Sequence, residues 1–91
     1  MKHAGPQALA ILEALLGQLR RLPGLVEKKP GVFYRRGRAF LHFHEDPAGL
    51  FADLKTGEEF ERFALNSAHE RNALVRAARK VLSDAGAEQR T

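Results

Sequence analysis

The chain contains no cysteine, so disulfides and thiolate-based zinc sites are excluded and a reducing cytoplasm is the expected location. It has no apolar run near the roughly 20 residues that span a bilayer, so we expect no membrane-spanning helix. No long apolar stretch precedes a small-residue cleavage site at the N-terminus, and we therefore expect no signal peptide. Gly-rich phosphate loops and Walker patterns are also lacking, which argues against nucleotide hydrolysis.

The chain has 91 residues, of which 44% are hydrophobic. This length and composition predict one globular domain over 1–91 with a single modest core. We expect 1–5 and 87–91 to be frayed tails. The chain is rich in Arg, Ala and Leu and poor in Asn and Gln. This bias favours a GC-rich or thermophilic bacterial source.

Charge is unevenly distributed along the chain, whose net charge is +4 and whose pI is about 10. Basic side chains dominate residues 20–38, and acidic side chains dominate residues 45–61. Such a charge distribution can attract a polyanion or a partner protein, or it can be that of an ordinary solvated surface. The basic candidates for polyanion binding are Arg20, Arg21, Lys28, Lys29, Arg35, Arg36 and Arg38.

Residues 32–55 predict three antiparallel strands joined by two tight turns. Arg36-Gly37 is typical of a two-residue type I′ hairpin loop, with glycine where the backbone takes positive φ. The second turn covers 46–49, where proline presets φ and glycine releases the chain. The predicted strands are Val32–Arg35, Arg38–Glu45 and Leu50–Lys55.

These two turns predict a register, because side chains alternate between the faces of a strand. The predicted core face carries Val32, Tyr34, Ala39, Leu41, Phe43, Ala52 and Leu54. The predicted opposite face carries Phe33, Phe40, His42, His44, Phe51 and Asp53, with Arg35 and Lys55 towards its ends. Phe33 is expected opposite Phe40, and His42 opposite Asp53.

Helical patterns flank this meander. Apolar residues recur at helical spacing over 7–22 and again over 68–85, where Ser67 is the expected N-cap and Gly86 the expected C-cap. A short strand is predicted over 25–29 and a short helix over 58–65. We therefore predict an α+β fold, an antiparallel meander of three to four strands flanked by N-terminal and C-terminal helices.

Phe33, Phe40 and Phe51 lie on the predicted opposite face. If both long helices cover the core face, these three rings form an open patch that would bind a partner or a second subunit. The alternative is that the short helix over 58–65 covers them. A homodimer in which this face is only an assembly surface is a further alternative.

His42, His44 and Asp53 are predicted to share one sheet face. Two imidazoles and a carboxylate so placed can hold a metal ion, or Asp53 can orient His42 for proton transfer. The structural alternative is a favourable His–Asp cross-strand pair. No nucleophile accompanies them, so we identify no catalytic residue and do not expect an enzyme. The sequence specifies no particular cofactor.

The segment from residue 9 to residue 55 resembles two bacterial families. Three segments resemble small relatives of the luciferase-domain family: Leu22-Pro23-Gly24, the aromatic strand Val32–Gly37 and the run His42–Asp46. The helix, the Leu-Pro-Gly turn and the meander also resemble the YjbR-like (MmcQ) family, and that resemblance implies a DNA-binding double wing. The luciferase resemblance does not imply light emission.

The sequence thus favours a non-enzymatic binding module. We expect the hairpin tip Arg35–Arg38 to contact nucleic acid or another polyanion, with the Phe face binding a protein partner or a second subunit. The alternative is a small-ligand or metal site at His42, His44 and Asp53.

Overall fold

The computed structural model describes residues 2–89, with side chains described to residue 84, and confirms the α+β class. Its strands are β1 Lys2–His3, β2 Val26–Lys29, β3 Val32–Arg35, β4 Arg38–Asp46, β5 Gly49–Lys55 and β6 Phe60–Ala64. Its helices are α1 Pro6–Ile11, α2 Glu13–Arg20 and α3 Ala68–Gln89. Among these residues, no helix is both long and apolar enough to cross a membrane.

The antiparallel sheet has the order β2-β3-β4-β5-β6, and β1 also pairs with β4. The strand predicted near 25–29 is confirmed as β2. The predicted N-terminal helix is present but breaks into α1 and α2 at Leu12, whose φ and ψ are −94° and 12°. The predicted type I′ turn is confirmed, since Arg36 and Gly37 both have positive φ, 53° and 78°.

Three predictions at element boundaries are wrong. Residues 2 and 3 form β1 rather than a frayed tail, because β4 has free edge positions beyond the end of β3. Residues 60–64 form a strand rather than a helix, because the open edge of β5 supplies a backbone ladder that local propensity does not reveal. Helix α3 passes through Gly86 to Gln89, since a glycine in a helix costs only about 1 kcal/mol; residues 90–91 lie outside the described part.

The predicted pairing of β4 with β5 is confirmed, from Leu41 opposite Leu54 to Glu45 opposite Leu50. The predicted pairing of β3 with β4 is confirmed only next to the turn. Beyond Tyr34 a bulge places Phe33 opposite Leu41 rather than opposite Phe40. A bulge sets two residues of one strand against one of its partner, and here it lets Phe40 and Leu41 both be buried.

The core lies between the helices and one face of the sheet. At the start of α3 the predicted N-cap is confirmed, because Ser67 Oγ accepts a hydrogen bond from the Glu70 amide. The Glu70 carboxylate in turn accepts from the Asn66 amide. The buried cluster consists of Leu12, Leu15, Leu16, Leu19, Leu22, Phe33, Phe40, Leu41, Phe43, Ala52, Leu54, Leu65, Leu74, Val75 and Ala78. Removing these side chains from water is the main favourable contribution to folding.

Candidate metal site

A group of histidines lies on the sheet face opposite the core. His42 and His44 are two residues apart on β4, so they share a face. His3 on β1 is the direct partner of His44, and Asp53 on β5 is the direct partner of His42. The hairpin of β4 and β5 and the distant strand β1 thus direct four polar side chains to one place.

The side chains of this group converge. His42 Nδ1 lies 2.8 Å from His44 Nε2, and His44 Nε2 lies 3.1 Å from Asp53 Oδ2. The predicted convergence of His42, His44 and Asp53 is therefore confirmed, whereas metal binding by them stays a prediction.

His3, His42 and His44, which we call the histidine cluster, each offer a ring nitrogen, and these three atoms lie within 4.8 Å of one another. In a tetrahedral zinc site with Zn–N bonds of 2.0–2.1 Å, ligand nitrogens are roughly 3.4 Å apart. The 2.8 Å separation of His42 from His44 is shorter than this, and the limit of 4.8 Å is longer. A common ion therefore requires the rings of His42 and His44 to move apart by about 0.6 Å at these nitrogens.

His44 is the most constrained member of the histidine cluster. It is only 9% exposed, and its Nδ1 has no hydrogen-bond partner among the described residues. Its Nε2 meanwhile faces both His42 and Asp53. A buried nitrogen without a partner is uncommon in folded proteins and is costly, so the polar contacts of this ring are all made through Nε2.

Asp53 is tied to Arg62 of β6 through two bonds. Arg62 Nε donates to Oδ1 at 2.8 Å and Arg62 Nη2 donates to Oδ2 at 3.0 Å. The paired guanidinium is the main reason why the pKa of Asp53 lies below its usual value, against the effect of burial. With both oxygens engaged, Asp53 is better placed to orient His44 than to serve as the third ligand expected from the sequence.

His42 has a lowered pKa, chiefly because burial disfavours its charged form and also because His44 lies beside it. A lowered pKa keeps the ring neutral at neutral pH, and the neutral imidazole is the form that binds metals. The Phe60 ring lies 4.9 Å from the His42 ring, centroid to centroid, and adds an apolar wall to the group.

His3 could not be found by local sequence reasoning, because it lies in the segment 1–5 that is expected to be a frayed tail and belongs to no motif. Its position depends on contacts between β1 and β4. The Ala4 amide donates to the Phe43 carbonyl at 3.0 Å, and the Gly5 amide donates to Glu45 Oε2 at 2.8 Å. Lys2 adds an ion pair with Glu45 at 3.4 Å.

The predicted open phenylalanine patch is wrong for two of its three members. Phe33 and Phe40 are only 1% and 3% exposed and belong to the core. The bulge in β4 is the reason, since it turns both rings inwards and leaves Val32 and Tyr34 only half-buried. Phe51 is opposite His44 and half-buried beside the histidine cluster; its role in binding stays a prediction.

The seven basic candidates do not form one surface. Arg35, Arg36 and Arg38 line a recess of about 510 Å³ together with Lys55. Arg20 is engaged by Glu13 and Glu27 at 2.8 and 2.7 Å. Lys28 and Lys29 line a separate cleft together with Arg20, and Arg21 is exposed.

Comparison of this chain with protein-family models, with curated proteins and with solved structures gives no match. The two family resemblances of residues 9–55 therefore stay predictions, and the functional argument depends on the geometry of the histidine cluster.

Proposed function

We propose that this protein binds a divalent transition metal ion, with His3, His42 and His44 as the ligands. The observation that carries the proposal is the convergence of three imidazole nitrogens from two strands within 4.8 Å of one another. Imidazole suits zinc, copper, nickel and iron, whereas magnesium and calcium prefer oxygen ligands. Zinc is the simplest ion to test, since it needs no redox control.

The ligand set has the character of a site with an open coordination position. Three protein ligands that leave a position for water or a substrate are typical of catalytic zinc, and closed four-ligand sets are typical of structural zinc. Asp53 is held by Arg62 and lies 3.1 Å from His44 Nε2, the same nitrogen that faces His42. Its negative charge is therefore placed beside the nitrogens that would hold a cation. This supports metal binding as the function, with any reaction left undefined.

The test is a calorimetric titration of the full chain with Zn²⁺. We expect one ion per chain, and we expect His3→Ala to weaken binding by more than about 100-fold, because loss of an outer partner alone costs 10–100-fold. The matched control is His69→Ala, which removes an exposed histidine on α3 and should leave the affinity unchanged. Equal affinity of the His3 variant and the parent would refute the proposal.

A second candidate is polyanion binding at the hairpin tip. It is favoured by the common recess of Arg35, Arg36, Arg38 and Lys55, since several cations at one surface attract phosphate groups. Binding to a short DNA duplex should then weaken steeply as salt rises. Arg36→Ala should reduce both the affinity and the salt slope, whereas Arg76→Ala on the exposed side of α3 should not; a salt-independent or absent interaction would exclude this function.

A further inference from the structure

A cleft of about 1010 Å³ lies beside the histidine cluster, between α1, α2 and the turn from β2 to β3. Its apolar lining includes Leu9, Leu16, Val32 and Phe43. The volume is at the upper end of the 300–1,000 Å³ that is typical of small-molecule sites. Leu9 closes part of the cleft by packing on Gly31, where a Cβ atom would come within 2.7 Å of Leu9 Cδ2.

Two links join this cleft to the histidine cluster. His3 lines the cleft and is also one of the three converging histidines. Val32 lines the cleft and is the direct cross-strand partner of His42, and directly paired residues have Cβ atoms about 5 Å apart. A molecule in the cleft would therefore have one end next to the metal ligands.

The charged groups around the cleft favour an anion. Lys28 and Lys29 lie on its lining, and the Lys28 ammonium is 5.1 Å from the centre of the Tyr34 ring. Arg20 also lines the cleft, but Glu13 and Glu27 neutralise it. Since these two carboxylates and one guanidinium carry one net negative charge, the two lysines leave the cleft with a surplus of one positive charge, to which a metal ion on the histidine cluster would add.

We infer that this cleft binds a small molecule with an apolar chain and a terminal carboxylate, and that the carboxylate occupies the open coordination position of the metal. The apolar chain is held by the side chains around Leu9 and Val32. The inference rests on the proposed metal function, because the carboxylate is placed by the ion. It identifies the class of ligand for which the open position is built.

The test uses octanoate as the probe and follows ¹H–¹⁵N NMR shifts of the full chain, first without zinc and then with one equivalent of Zn²⁺. We expect shifts at Leu9, Val32 and Tyr34, and about tenfold tighter binding of octanoate when zinc is present. Ala10→Trp should abolish these shifts, since Ala10 is exposed and lines the cleft. Ile11→Trp is the matched control, because Ile11 is the next residue of α1, is 62% exposed and is not part of the lining.

Octanoate that binds both tryptophan variants equally, or that shifts only residues outside the cleft, would overturn the inference. Equal octanoate affinity with and without bound zinc would overturn the role given to the metal. The two proposals fail in distinguishable ways: a chain that binds no zinc in calorimetry refutes the metal function itself, whereas a chain that binds zinc but not octanoate refutes only the ligand assigned to the cleft.

Discussion

The two faces of the sheet bury their side chains by different means. On the core face, Phe33, Leu41 and Phe43 are covered by apolar residues of the helices. On the opposite face, His44 and Asp53 are each only 9% exposed, although their contacts come from side chains of neighbouring strands. Apolar burial needs only volume and shape, whereas polar burial is costly unless specific partners are present. The histidine face is therefore the more specialised of the two.

The largest expected effect is a difference in the free energy of unfolding between substitutions on the two faces. Phe33→Ala should lower the free energy of unfolding by about 3–5 kcal/mol, because it removes a fully buried ring and leaves a cavity. Phe60→Ala, on the histidine face and 42% exposed, should change it by less than about 1 kcal/mol. Urea denaturation measures both. If both substitutions changed the free energy of unfolding by a similarly small amount, Phe33 would lie on an open face, as the register predicted without a bulge requires.

The second-largest expected effect is the gain in stability when the histidine cluster binds zinc. At free zinc 100-fold above its Kd, binding should add about 2.7 kcal/mol to the free energy of unfolding, which raises the Tm of a domain of this size by roughly 10–20 °C. His44→Ala should remove this gain. Calcium is the control ion, because it prefers oxygen ligands. A thermal shift with calcium equal to that with zinc would contradict a histidine site.

Asp53→Asn tests whether this residue positions His44. The neutral amide keeps the shape but weakens the interaction with the imidazole and with Arg62, so we expect zinc affinity to fall about 10–100-fold. Glu61→Gln is the control, because Glu61 is exposed in the same strand β6 and pairs with Leu54 on the other face of the sheet, so its substitution removes one negative charge without touching the cluster. Equal losses in the two variants, or a loss matched by unfolding of the metal-free Asp53 variant, would count against a positioning role.

Much of the core face could be predicted from sequence, because period-2 alternation and turn chemistry act locally. The pairing of β4 with β5 followed from a single turn and was correct at every position from Leu41 to Glu45. The β3 register failed at Phe33, because a bulge is decided by what the helices can bury and not by the turn. Strand β6 was missed for a related reason: its local pattern also suits a helix, and the free edge of β5 decides between them.

The candidate site was predictable only where its members share a hairpin. His42, His44 and Asp53 lie on two adjacent strands whose register follows from one turn, so their convergence could be predicted. His3 lies 39 positions before His42 in the sequence and reaches the group only through the pairing of β1 with β4. The Arg62 pairing with Asp53 was hidden by the same error that made β6 a helix.

The smallest expected effect tests a charged pair beside the core face. Glu27 accepts from Arg20 at 2.7 Å and from the Gly31 amide at 2.9 Å, and the Arg20 bond is the main cause of its lowered pKa. A lowered folded-state pKa gives stability that is present above the ordinary glutamate pKa and is lost as pH falls through the folded value. Glu27→Gln should therefore lower the free energy of unfolding by about 1 kcal/mol at pH 7 and hardly at all once the pH is below the folded-state pKa of Glu27.

Glu59→Gln, in the exposed loop before β6, is the control, and urea denaturation at several pH values is the measurement. A cost for Glu27→Gln that stays constant with pH would show that Glu27 acts through packing, and that the rim of the core face depends on shape as its centre does.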